Sequence, residues 1–274
     1  MWTWTVDMEA LIIVLSVIAV LFVLYLFMIF PRAKAPKMQT ILCSYAHRGL
    51  HDAEIPENSL KAFQKATEAG YGIELDVQLS RDGVVVVFHD STLTRMCGVD
   101  KRVADCTLEE LRSYRLLDTE ECIPTFSEVL SLVGGRVPLL VELKGESASA
   151  TLCAPVRELL SSYDGPYCIE SFNPYLLFSM RREMPDAYLG LLYTNVCREK
   201  KKCTFINILV TLMGLNFLAK PSFISYDKNY RRSPLVWFTT KVCRCPKFVY
   251  TIRGREEYEQ ALTLGESPIF EHLT

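Results

Sequence analysis

Short apolar runs separated by amphipathic stretches recur along most of this chain, and that alternation limits its fold more than any other feature. The runs occupy residues 40–45, 71–79, 84–89, 137–143, 167–171, 188–193, 223–226 and 248–252. Several are apolar almost throughout, as strands covered on both faces must be. Between them, residues 59–69, 107–114, 125–133, 150–163, 174–183 and 255–264 carry helical spacing, with Thr107 and Thr125 at capping positions. Strand–helix alternation across residues 38–274 predicts a (β/α)8 TIM barrel rather than an open sheet. No glycine-rich phosphate loop follows the first run, which weakens the dinucleotide-binding kind of open sheet.

One joint breaks the pattern. Ser80-Arg81-Asp82-Gly83 alone separates the run at 71–79 from the run at 84–89. That is too short for a parallel crossover and suits an antiparallel hairpin. With Arg81-Asp82 as a two-residue turn, Glu74 falls opposite His89; with Asp82-Gly83, Asp76 does. Either register predicts that His89 stands beside a carboxylate pair on one sheet face.

The segments involved read Ala46-His47-Arg48-Gly49, Ile73-Glu74-Leu75-Asp76-Val77 and Phe88-His89-Asp90. Two of the chain's four histidines thus end apolar runs with acids close by. Unpaired carboxylates in a buried strand are costly, so a cation is expected with Glu74 and Asp76. It could be a local Arg or Lys, or a divalent metal. Val141-Glu142-Leu143-Lys144 offers a third acid at a later strand end. Three carboxylates suit a hard cation, Ca²⁺ or Mg²⁺, whereas softer metals recruit more histidine or cysteine. His47 and His89 are then left for proton transfer near neutral pH. Arg48 and Lys144 would neutralise phosphate oxygens, or balance the carboxylates. These are the parts of a metal-assisted phosphodiester hydrolase. His51 and His272 lack such surroundings and read as ordinary loop residues. Pro56-Glu57-Asn58-Ser59 reads as a turn into a helix capped by Asn58 or Ser59, with Asn58 also able to brace the His47 loop.

The N-terminus is of another kind. Residues 10–30 carry no charge, and Ser16 is their one strongly polar member. At about 1.5 Å per residue, that length crosses a hydrocarbon core of ~30 Å. Asp7 and Glu9 precede the run, while Arg32, Lys34 and Lys37 follow it. The positive-inside rule then predicts a single-pass cell-membrane protein with its barrel in the cytoplasm. The boundaries expected are 1–37 for anchor and basic linker and 38–274 for the barrel domain. A cleaved signal peptide is the rival reading. It is opposed by the length of the run, by the lack of Lys or Arg before it, and by Pro36 directly after the A-x-A-like Ala33-Lys34-Ala35. A buried core helix fits poorly with an unbroken apolar circumference.

A second uncharged stretch, 205–219, follows Arg198, Lys200, Lys201 and Lys202. It is short for a span. It is expected either as an interfacial helix drawn to anionic lipid or as an ordinary barrel helix. The ten cysteines show no paired metal-ligand spacing and suit free thiols in a reducing compartment. A formal net charge of −2 argues against a nucleic-acid partner.

From about Tyr45 to Phe270 the chain resembles the glycerophosphodiester phosphodiesterases, in a membrane-anchored, bacterial-type form. The pieces that carry the likeness are Ala46-His47-Arg48-Gly49, Pro56-Glu57-Asn58-Ser59, Glu74-Leu75-Asp76-Val77, Asp82-Gly83 and His89-Asp90. Ile123-Pro124-Thr125-Phe126, Val141-Glu142-Leu143-Lys144 and Glu170-Ser171-Phe172 extend it. The resemblance implies a TIM barrel that hydrolyses a glycerophosphodiester to an alcohol and glycerol 3-phosphate in lipid metabolism. It implies His47 and His89 as the acid/base pair, Glu74, Asp76 and Glu142 as metal ligands, and Arg48 and Lys144 as phosphate contacts. Leu50-His51 stands where further glycines are common, Tyr250 where a tryptophan is frequent, and Ile269-Phe270-Glu271-His272 where a Thr-Asp pair often closes the domain. These departures bear on the alcohol side of the pocket. The alternatives are a lysophospholipase-D-type activity on lysophospholipids, which the same site could perform, and a non-catalytic, membrane-tethered headgroup binder. A pure binder has no need of two acid/base groups.

Overall fold

Strands β1 (Tyr45–Ala46), β2 (Gly72–Leu79), β3 (Val85–Val87), β4 (Leu139–Leu143), β5 (Tyr167–Ser171), β6 (Leu189–Tyr193), β7 (Phe223–Asp227), β8 (Lys247–Arg253) and β9 (Ser267–Glu271) form one sheet. They are seen in a computed structural model that describes residues 8–32, 38–145 and 150–273. β1 pairs in parallel with both β2 and β9, so all strands except β3 close into an eight-stranded parallel barrel with helices outside. This is the (β/α)8 architecture expected from the alternation.

The eight barrel strands are not the eight apolar runs. The run at 84–89 supplies β3, an antiparallel partner of β2 outside the barrel. The eighth barrel strand is β9, whose Pro268 weakens its signal as a strand in sequence. The first run shrinks to Tyr45–Ala46, because Met38–Ile41 turns as a 3₁₀ helix that accepts the Tyr45 hydroxyl on the Ile41 carbonyl, 2.7 Å away. The helices at 108–112 and 126–133 start where Thr107 and Thr125 make capping boxes with Glu110 and Glu128. Ser59, rather than Asn58, caps the helix Leu60–Glu68.

The hairpin register is neither of those predicted. Leu79 faces Val85 and Val77 faces Val87, so the loop is the three residues 81–83. Gly83 takes φ +81° there, and Ser80 Oγ accepts from the Val84 amide at 2.9 Å. A type I turn followed by a left-handed residue gives such a loop. Strand pairing alone would carry His89 to Leu75, on the wrong face. The ladder instead ends with the Phe88 amide on the Asp76 carbonyl at 2.9 Å. Phe88 turns outward into a small cluster with Leu93, Met96 and Ile123, and the chain then swings His89 toward the barrel mouth.

Inside the barrel the two ends differ. Tyr45, Leu140, Cys168, Phe223, Phe248 and Ile269 pack together and fill the end at which the strands begin. The filling needs glycine at two places. A Cβ on Gly190 would lie 2.1 Å from the Phe223 ring, and one on Gly72 would lie 2.8 Å from the Tyr45 ring. The inward positions one step along are Glu74, Asp76, Glu142 and Glu170, all buried. With the bottom plugged, these acids can open only at the C-terminal ends of the strands.

The N-terminal helix, Met8–Ile29, is long and apolar enough to cross a membrane. It is not a buried core helix, since residues 8–24 are exposed throughout. Its last turn is docked: Ile29 is 1% exposed and its carbonyl accepts from Asn216 Nδ2 at 3.2 Å. Asp7, Lys34, Lys37 and the A-x-A-like site at 33–35 lie outside the described residues. The stretch 205–219 is not one helix but two, Phe205–Thr211 and Asn216–Ala219, broken where Met213 adopts φ +55° ahead of Gly214.

Candidate active site

The candidate residues lie within the barrel or just past the C-terminal ends of its strands, with Asp76 in register with Glu142. His47 and Arg48 follow β1, Glu74 and Asp76 lie on β2, Glu142 and Lys144 end β4, and His89 follows β3. Arg48 adopts φ +56°, which aims its backbone amide at Glu74 Oε2, 3.0 Å away. The Arg48 carbonyl accepts from the Asn58 amide at 2.9 Å, so Asn58 does brace the His47 loop. Its side chain has a second task, donating to Asp76 Oδ2 at 2.8 Å.

The carboxylates of Glu74, Asp76 and Glu142 each place an oxygen within 4.8 Å of the others. Lys144 Nζ lies 2.9 Å from Asp76 Oδ1 and 2.7 Å from Glu142 Oε1, and Arg48 Nε is 3.4 Å from Asp76 Oδ2. Asp76 is fully buried, with the Lys144 ammonium on Oδ1 and the Asn58 amide on Oδ2. Three buried carboxylates within reach of one another fit a hard divalent cation, and the set offers nothing to a thiophilic one.

The acids divide by environment. Burial alone would raise Asp76, but Lys144, His89 and Arg48 outweigh it and hold its carboxyl far below the usual range. Burial, with repulsion from Asp76 and Glu142, pushes Glu74 well up. Burial lifts Glu142 to about 7 in spite of Lys144. A fourth inward acid, Glu170, is lifted by burial to about 8 while accepting a short hydrogen bond from the Ser225 hydroxyl. The pocket floor therefore holds protons at neutral pH that a cation could replace.

The two histidines are held alike. His47 Nδ1 pairs closely with Glu271, leaving Nε2 facing Glu74 Oε2 at 3.8 Å. His89 Nδ1 is 2.6 Å from Asp90 Oδ1. Burial lowers the His89 imidazole, with Lys144 and Arg48 adding to the effect against Asp76. A carboxylate on Nδ1 fixes the tautomer and presents Nε2 for chemistry. Behind them runs a chain of ion pairs. Asp90 meets Arg95 Nε at 2.7 Å, Arg95 grips both oxygens of Glu57, and Glu57 Oε1 meets Arg48 at 2.7 Å. The loops carrying His47 and His89 are thereby tied together.

Glu271, Asp90, Glu57, Arg95 and Glu170 had no role in the sequence reading. An acid at the end of the closing strand was visible as Glu271, but nothing local linked it to His47, 224 positions away. Glu57 was hidden inside a segment read as a turn. Tyr250, which stands where a tryptophan is frequent, donates to the Tyr193 carbonyl at 3.0 Å and meets Phe172 edge-on, with ring centres 6.1 Å apart. His51 and His272 do lie in loops, where their rings meet edge-on with centres 5.0 Å apart.

Residues 47–271 match the sequence profile described as the Glycerophosphoryl diester phosphodiesterase family. The chain belongs to this family. Among curated members, it is 36% identical over 160 residues to a glycerophosphodiester phosphodiesterase of Caldanaerobacter subterraneus subsp. tengcongensis, a match covering 54% of this chain and 65% of that one. It is 31% identical over 219 residues to glycerophosphodiester phosphodiesterase 1 of Bos taurus, covering 66% of this chain and 65% of the relative. Each match thus spans a little under two thirds of the relative's length. Among solved structures, a glycerophosphodiester phosphodiesterase from Thermotoga maritima superposes with a TM-score of 0.65 at 26% identity, over 84% of this chain and 94% of that one. The family's sequence profile opens at His47 and closes at Glu271, two residues that touch in space.

Proposed function

We propose that this family member is a membrane-anchored, metal-dependent phosphodiesterase acting in lipid metabolism. It hydrolyses glycerophosphodiesters to an alcohol and glycerol 3-phosphate. One observation carries the reading: two histidines from separate loops, each oriented by its own carboxylate, converge on three buried acids flanked by Arg48 and Lys144.

Glu74, Asp76 and Glu142 would hold Ca²⁺ or Mg²⁺, which when bound polarises the phosphoryl group and offsets its charge. Arg48 and Lys144 bind the non-bridging oxygens and stabilise the charge that grows on them. One histidine takes the proton of the attacking hydroxyl through Nε2, and the other protonates the departing oxygen. Glu271 and Asp90 stabilise each imidazolium as it forms. The helix Met8–Ile29 supplies the single span through its exposed part, with the barrel on the cytoplasmic side.

The test is turnover by the purified full chain in detergent, with glycerophosphocholine and with lysophosphatidylcholine as substrates. Turnover of the first that EDTA abolishes and Ca²⁺ or Mg²⁺ restores is the expected result. Turnover of lysophosphatidylcholine alone would move the reading to the lysophospholipase-D alternative. Absence of metal-dependent turnover of either substrate would leave a headgroup binder.

A further inference from the structure

The way the N-terminal helix is docked decides which end of the barrel meets the bilayer. Tyr25 donates to the Leu212 carbonyl at 3.0 Å, Ile29 accepts from Asn216, and the Arg32 amide donates to the Pro221 carbonyl at 2.9 Å. The helix and the segment 212–221 therefore run side by side in the same direction. That segment descends the barrel. Thr211 touches Cys197, just beyond the C-terminal end of β6, whereas Pro221 lies just before β7 begins. Arg32 also reaches the Pro185 carbonyl ahead of β6, at the plugged end.

Traced backward, the helix rises along the barrel wall and leaves it at Tyr25, on the side of the catalytic mouth. Burial changes at that residue, with 8–24 exposed and Tyr25, Leu26 and Met28 partly covered. The free part is about 25 Å long at 1.5 Å per residue, a little short of a hydrocarbon core of ~30 Å. A span of that length cannot hold the barrel at a distance, so the bilayer surface must come down to the mouth itself.

The mouth is dressed for it. Phe205 is 74% exposed and Ile206 59%, next to the exposed cations Arg198, Lys200, Lys201 and Lys202. Phe172, just after β5, and Tyr175, in the first turn of the helix Pro174–Glu183, also present exposed rings. Apolar side chains beside a basic cluster suit the headgroup boundary of an anionic leaflet.

We infer that the C-terminal mouth of the barrel lies face-down on the bilayer, with the segment 198–206 seated in the headgroup layer of an anionic membrane. The site then opens toward that leaflet, within reach of phosphodiesters at its surface. This rests on the proposed spanning role of the helix and not on the phosphodiesterase chemistry.

Depth measurement tests it without turnover. A fluorescent non-natural residue is placed in the full chain at Ile206 near the mouth, at Asp164 in the exposed loop before β5, or at Val17 within the helix. Each protein is reconstituted in phosphatidylcholine–phosphatidylserine vesicles containing nitroxide-labelled lipid. Strong quenching at Val17, with quenching at Ile206 severalfold above that at Asp164, is the expected pattern. Quenching at Val17 with equal values at Ile206 and Asp164, or more at Asp164, overturns the orientation and leaves the span intact. No quenching at Val17 overturns both. Changing all four cations to Gln should lower quenching at Ile206 while leaving Val17 unchanged; an unaltered Ile206 signal removes the basic cluster from the contact.

Discussion

Replacing Lys144 with methionine probes the electrostatics of the site directly, because this ammonium bridges Asp76 and Glu142 at 2.9 and 2.7 Å. At an effective dielectric of about 20, each contact amounts to about 6 kcal/mol of Coulomb attraction. Most of that offsets the cost of burying the charges, so breaking the bridge should cost about 3–5 kcal/mol. For a domain of this size the corresponding fall in Tm is roughly 6–20 °C. The loss should depend on pH. Glu142 is lifted to about 7, so at pH 6 it carries a proton and the variant loses mainly the contact with Asp76. At pH 8 Glu142 is ionised in the parent, and both contacts go. The variant should therefore fall further below the parent at pH 8 than at pH 6, and millimolar Ca²⁺ or Mg²⁺ should narrow the gap by supplying positive charge to the same oxygens. Thermal unfolding of the full chain in detergent, followed by circular dichroism at both pH values with and without the metals, reads all of this. A shift of less than about 2 °C at pH 8 would mean less than ~1 kcal/mol is at stake and would refute the reasoning. So would a larger loss at pH 6.

Three further outcomes follow from the same geometry. His47→Ala and His89→Ala should each lower kcat by at least ~10²-fold with glycerophosphocholine; a variant with near-parental kcat has lost no proton-transfer group. Glu271→Gln keeps the size of the His47 partner but not its charge, and should lower kcat on the order of 10²-fold through misplacement of the imidazole, with KM little changed; an equal rise in KM would assign Glu271 to substrate binding instead. For pH dependence, Glu142 and Glu170 are held above their unfolded values, so the stability they contribute is full below the ordinary carboxylate range and is lost as pH rises toward about 7 and about 8. The metal-free protein should thus lose Tm from pH 5 to 8, and metal affinity should climb over pH 6 to 8 as the cation replaces protons. Calorimetric titrations in buffers of different ionisation enthalpy would count the protons released, and a count of zero at pH 6.5 would contradict the assignment.

Much of this protein could be read from its sequence, because the forces involved act over a few residues. Period-two and period-3.6 patterns set β2, β5, the helix Pro174–Glu183 and the capped helices after Thr107 and Thr125. Glu74 and Asp76 share a face because alternate strand residues must, and the long charge-free run at 10–30 marks the helix Met8–Ile29. Tertiary structure decided what depends on distant partners. A left-handed Gly83 set a hairpin register that two-residue turns did not suggest, and His89 reached the site by leaving the ladder rather than by pairing in it. β9 is a strand because β1 and β8 lie on either side of it, whatever Pro268 signals locally. His47 acquires Glu271 because closure of the barrel brings the first strand against the last, a contact with no trace in local pattern. The direction in which the helix meets segment 212–221 likewise depends on packing across the whole fold, since its partners Leu212 and Asn216 lie 187 positions along the chain from Tyr25 and Ile29.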